Sequence, residues 1–119
     1  MGTRSIGQEW LVDASGCDVA ALKDVRVLAG LFESLVVSLE LTVVGTPQWN
    51  VFPSPGGVTG LSLLSESHLA IHTFPEHGYA ALSIYSCRTR APLDFEKLLA
   101  THLRATSITV RTLPREAAL

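Results

Sequence analysis

Cysteine is nearly absent from this chain. The two present, Cys17 and Cys87, are too few for a disulfide framework or a four-ligand zinc site, so each is expected as a free thiol. Long hydrophobic runs are also missing. No apolar stretch approaches the roughly 20 residues of a membrane helix, and the opening MGTRSIGQEW lacks the apolar segment of a secretory signal, so a soluble cytoplasmic protein is expected. Nor is there an excess of positive charge. Nine Lys and Arg are scattered against eleven Asp and Glu, for a net charge of -2, which leaves no electrostatic footprint for nucleic acid. Internal repeats and low-complexity segments are absent too, and Gly and Pro fall between periodic runs rather than in a linker. What remains is 119 residues, 47% of them hydrophobic, enough for one cored domain spanning 1–119.

The periodicities lay out that domain. EWLVDAS reads as a first strand, and Asp18 can cap a long helix through DVAALKDVRVLAGLFESLVVSLE, whose apolar residues recur every three or four positions. LTVVG reads as a strand. The loop TPQWNVFPSPGG follows, its prolines and glycines opposing regular structure over most of its length. VTGLSLLS, HLAIHTF and YAALSIYS read as three strands separated by short turns, PLDFEKLLATHL as a second amphipathic helix, and SITVRTL as a last strand. This order predicts an α+β two-layer sandwich, an antiparallel-rich sheet with two helices on one face. In HLAIHTF the two-residue period sends Leu69, Ile71 and Thr73 to one side and His68, Ala70, His72 and Phe74 to the other. If the aliphatic side meets the helices, the histidines line the opposite face, which is then solvated, the floor of a site, or an interface.

Proton-handling groups crowd into one stretch, SESHLAIHTFPEHGYAALSIYSC. Ser67 sits between two predicted strands, preceded by Glu66, with His72 five residues on and Cys87 twenty residues on. Taken singly, each has a bland role: a turn serine bonding locally, a hydrogen-bonded strand histidine, a small buried thiol. Together they suit nucleophilic chemistry, although no G-x-S-x-G elbow and no cysteine-protease signature accompanies them. His68, His72, His77 and Glu76 could ligate a metal, but their spacing fits no closed zinc pattern, and no metal is expected.

The run GVTGLSLLSESHLAIHTFPEHGYAALSIYSC, residues 57–87, closely resembles the core of the bacterial S-adenosylmethionine decarboxylases. These small pyruvoyl enzymes are made as proenzymes and cut at the Glu-Ser bond of an ESH…IHTWPE motif. ESH, IHT-aromatic-PE, GYAA and the cysteine stand at fixed spacing, with weaker likeness through GCDVAAL and the second helix. The resemblance implies cleavage between Glu66 and Ser67 into chains 1–66 and 67–119. Ser67 becomes a pyruvoyl group that forms a Schiff base with an amino-acid-type substrate, with neither metal nor pyridoxal phosphate. It further implies His72 as the processing residue, supported by the Thr59 hydroxyl where many members carry serine, and Cys87 as the proton donor. A thiol suits that task because free thiols ionise only near pH about 8.5. Glu76 matches the carboxylate that binds the ribose. Phe52 and Phe74 are candidates to stack on the adenine or, on the bland reading, to pack in the core, and His68 is assigned to the same substrate side. The product would feed spermidine synthesis. The implied assembly is a homodimer, two sheets stacked into a four-layer α/β/β/α sandwich.

Departures from the pattern fall on the substrate side. Phe74 replaces the usual tryptophan, Ser83 stands where many relatives have aspartate, QWNVFPSPGG lacks the usual His-x-Phe approach, and the customary CG is CR here. Two alternatives follow: the same chemistry on arginine or ornithine, which would need a carboxylate partner for the cationic side chain, or a non-catalytic regulatory relative.

Overall fold

A computed structural model describes residues 2–88 and 93–119. In chain order the elements are β1 (Thr3–Ser15), α1 (Val19–Leu22), α2 (Val25–Ser38), β2 (Gln48–Val51), β3 (Val58–Leu63), β4 (His68–Phe74), β5 (Tyr79–Ser86), α3 (Phe95–Leu103) and β6 (Ser107–Ala118). A single 3-10 turn, Pro75–His77, links β4 to β5. The strands form one sheet in the order β2-β3-β4-β5-β1-β6, every neighbouring pair antiparallel. The architecture is therefore α+β, as the element order predicts.

The helices lie on one sheet face because their apolar stripes have nowhere else to go. In α2 Leu28, Leu31, Phe32 and Leu35 are buried, a spacing that places them on one side of the helix. In α3 Phe95, Leu99 and Leu103 do the same. They meet Val12, Leu69, Ile71, Leu82 and Ile84 from the sheet, each 2% exposed or less. Burying a side chain of this size contributes about 1.5–3 kcal/mol.

Three local expectations are corrected. The long first helix is broken: Asp18 caps α1 by accepting from the Ala21 N–H (3.2 Å), and Asp24 caps α2 afresh by accepting from the Arg26 N–H (2.9 Å). Aspartate competes for backbone donors and so starts helices more readily than it continues them. Among the described residues there are accordingly three helices on the face rather than two. LTVVG makes only the isolated bridge Val43 to Leu64. The strand forms instead at Gln48–Val51, inside the segment read as loop, because Trp49 faces Gly60 and packs on Phe32 with ring centres 4.9 Å apart. Any side chain at 60 would collide with that ring, since a Cβ there would lie 2.2 Å from it. Strands β1 and β6 also run longer than predicted, pairing from Thr3 opposite Ala118 to Ser15 opposite Ser107 with a register shift between Ser5 and Gly7. Pro92, the start of the second predicted helix, lies outside the described residues.

Candidate active site

The sheet face away from the helices carries His68, His72 and Phe74, as the period of β4 demands, while Leu69, Ile71 and Thr73 point to the core. Antiparallel pairing then decides which candidates meet.

Glu66 and Ser67 occupy the tight turn from β3 to β4. Leu64 closes it with two backbone bonds, its N–H donating to the Ser67 carbonyl (3.0 Å) and its carbonyl accepting from the Ser67 N–H (3.4 Å). Next to β4, β5 is in register with His68 opposite Tyr85, which brings the residue after Ser86 alongside Glu66. There the Cys87 thiol donates a hydrogen bond to the Glu66 carbonyl oxygen. Ser86 turns the chain at this point: its buried hydroxyl donates to the Arg88 carbonyl (3.0 Å) and accepts from the Arg88 N–H (3.2 Å). Cys87 is thus directed outward, and its exposure removes the reading of a buried, inert thiol. Arg88 completes the cluster with two 2.6 Å bonds to the Glu66 carboxylate, Nε to Oε2 and Nη2 to Oε1. That carboxylate, by hydrogen bond first and charge second, raises the Arg88 pKa above its ordinary value.

The second cluster is centred on His72. Its Nδ1 lies 3.3 Å from the Thr59 hydroxyl, the residue directly opposite in β3. Both line an open cavity of about 380 Å³ together with Phe52, Gly57, Phe74 and Glu76. Phe52 is 51% and Phe74 40% exposed, so neither packs in the core, and both line the cleft. Beyond Phe74, whose ring lies 5.7 Å from that of Tyr79, the Tyr79 hydroxyl donates to Asp13, and Arg111 bridges the other Asp13 oxygen at 3.1 Å. The bond to Asp13, then burial and the Asp13 charge, push the Tyr79 pKa up, and Arg111 opposes them.

His68 belongs to neither cluster; it stacks on Tyr85, with ring centres 5.7 Å apart and planes 12° off parallel. Cys17 is buried at 7% exposure, and its burial raises its pKa. His68, His72, His77 and Glu76 do not converge: among the described residues no three His, Cys, Asp or Glu side chains are grouped to hold a metal ion. No helix among them is long and apolar enough to cross a membrane.

Ser67 and His72 are five residues apart on an extended strand, about 16 Å at the usual rise. Within one chain, the candidate nucleophile with its thiol neighbour therefore stands at one end of the outer face and the histidine with the cleft toward the other. Sequence reasoning did not assign Arg88, Tyr79 or Asp13. The CR dipeptide was the available signal for the first; the other two join only through the β1–β5 pairing.

With this geometry in view, known proteins give a consistent answer. The S-adenosylmethionine decarboxylase family model matches residues 8–116. An S-adenosylmethionine decarboxylase proenzyme 2 from Halalkalibacterium halodurans is 36% identical over 97% of this chain and 86% of its own length. An S-adenosylmethionine decarboxylase proenzyme from a Geobacillus species is 35% identical over 97% of this chain and 87% of its own length. The crystal structure of the adenosylmethionine decarboxylase from Aquifex aeolicus superposes with a TM-score of 0.78 at 28% identity, covering 98% of this chain and 95% of that one. A match that runs from β1 into β6 and takes in both clusters leaves one assignment: this chain belongs to the S-adenosylmethionine decarboxylase family.

Proposed function

We propose that the protein is a proenzyme that cleaves itself between Glu66 and Ser67 and then decarboxylates S-adenosylmethionine by means of a pyruvoyl group derived from Ser67. The observation that carries this reading is the Cys87 thiol bonded to the carbonyl oxygen of Glu66. That oxygen gains negative charge when the Ser67 hydroxyl adds to its carbon, and a donor already aimed at it stabilises the charge. The peptide C–N bond then breaks as the C–O ester bond forms, freeing the Ser67 amine. Loss of the Ser67 α-proton expels the Glu66 carboxylate, and water replaces the nitrogen of the resulting dehydroalanine, releasing ammonia.

The surroundings fit the group so produced. Residue 67 stands beside a thiol, and its turn lies at the rim of a face bearing a histidine, a hydroxyl, two open aromatic rings and a carboxylate. The pyruvoyl carbonyl supplies the electron sink for loss of CO₂. Cys87 returns a proton to the former α-carbon. Thr59 holds the His72 ring through Nδ1, which orients Nε2 for proton transfer during processing. Glu76 suits a pair of ribose hydroxyls, and Phe52 and Phe74 suit a flat cationic nucleoside.

His72 is too far along β4 to serve the Ser67 of its own chain, and two-fold stacking of outer faces removes that difficulty. An antiparallel arrangement lays the partner subunit's His72 and its cleft over Ser67 and Cys87. Exposed Leu61 (48%), Leu63 (59%) and Leu113 (44%) make this face suited to such a homodimer.

Mass spectrometry of the purified protein tests the proposal. A fragment ending at Glu66 and a second fragment whose blocked amino end reacts with carbonyl reagents are expected, with CO₂ released from S-adenosylmethionine in preference to arginine or ornithine. Ser67→Ala should stay whole. A wild-type chain that remains uncut would overturn the reading, and an active monomer in light scattering would overturn the shared site.

A further inference from the structure

We propose that Arg88 is a positioning residue for self-cleavage: by gripping the Glu66 side chain it holds the Glu66–Ser67 peptide in the orientation that the Ser67 hydroxyl must attack. This rests on the self-cleavage proposed above. Glu66 occupies the turn from β3 to β4, whose flanks are tied by the Leu64–Ser67 bonds and by the Ser65 N–H donating to the Thr42 carbonyl (2.9 Å). The orientation of the peptide joining Glu66 to Ser67 depends on residues that hold Glu66 itself.

Two consecutive residues do so. Cys87 bonds the main-chain carbonyl, and Arg88 bonds both carboxylate oxygens at 2.6 Å. A planar guanidinium that meets a carboxylate through two parallel bonds constrains direction as well as distance, which a single ammonium does not. Because Ser86 bonds both backbone groups of Arg88, the grip is anchored to the end of β5. Rotation of the Glu66 carbonyl away from the thiol would drag its side chain off the guanidinium, so the two contacts reinforce one another. The CG of the family pattern has no side chain at this position, and the grip is a property of this chain.

The grip acts before the bond is cut, so its readout is the rate of cutting. The full chain is made by cell-free translation, and fragments are followed after a pulse of labelled amino acid. Arg88→Gln should slow cleavage about threefold or more, the scale expected for one exposed two-point pair, and Arg88→Lys should restore part of the rate. In a Glu66→Ala background Arg88→Gln should have no further effect, since no side-chain acceptor remains at residue 66 for it to hold. Arg88 is exposed, so the unfolding midpoint in the uncleavable Ser67→Ala chain should not move with Arg88→Gln. Cleavage of Arg88→Gln at the wild-type rate overturns the inference, as does an equal slowing in the Glu66→Ala background. A wild-type chain that never cleaves sinks the proposed function itself, an outcome distinct from either of these.

Discussion

Replacing Thr73 with valine exchanges a hydroxyl for a methyl of nearly the same shape at a position 5% exposed. Two buried backbone groups depend on that hydroxyl. Its oxygen accepts from the Val58 N–H at 2.8 Å, at the start of β3, and its proton is donated to the Leu22 carbonyl at 2.7 Å, at the end of α1. The side chain thus ties β4 to β3 and to the helix layer directly beneath the cleft that His72 and Phe74 line from the other face. Valine orphans a donor and an acceptor, at about 1–3 kcal/mol each, and recovers about 0.8 kcal/mol for the added buried methyl. The expected net loss is about 3 kcal/mol, or about 10 °C in melting temperature for a domain of this size. Denaturant and thermal unfolding should be read in the Ser67→Ala chain, so that one covalent species unfolds. Thr73→Ser, which keeps both bonds and loses only a methyl, should cost about 1 kcal/mol. Valine that proves as stable as threonine, or less costly than serine, would refute the reasoning and show both groups to have other partners.

Two further outcomes are expected. Cys87→Ala should slow self-cleavage while letting it finish, because one donor to the Glu66 carbonyl is lost, and should lower turnover of the cleaved enzyme by about a hundredfold or more; paired single-turnover and steady-state assays separate the two effects, and wild-type turnover would remove Cys87 from the mechanism. Tyr79, its pKa raised chiefly by the bond to Asp13, keeps its proton in the folded state after the unfolded chain has lost it. Its contribution to stability is therefore full below pH about 10 and declines as pH rises through the raised value. Near-ultraviolet titration of wild type against Tyr79→Phe should show that the signal lost with Tyr79 is a late-ionising one, and Tyr79→Phe should flatten the alkaline fall in stability; Tyr79 ionising in the ordinary tyrosine range would contradict the hydrogen bond.

Local periodicity by itself determined a good part of the site. The alternation in HLAIHTF requires His72 and Phe74 to share a face opposite Leu69 and Ile71, whatever the strand pairs with, because successive side chains on a strand must point apart. The ESH stretch between two apolar runs demanded a turn, which put Glu66 and Ser67 at a sheet end, and Asp18 announced a helix start through its own side-chain oxygen. Periodicity is blind to registers and breaks that depend on distant residues. Whether DVAALKDVRV runs on as one helix or stops at Asp24 is a competition between local bonds, and whether Val43 or Trp49 belongs to the sheet is settled by the ring of Phe32 and the bare backbone of Gly60. Register is a long-range property, and it brought Cys87 and Arg88 to Glu66 across 21 and 22 residues of chain. Strand geometry likewise parted Ser67 from His72, five residues apart in sequence, because an extended chain spends its length on distance whereas antiparallel pairing closes long separations to a hydrogen bond.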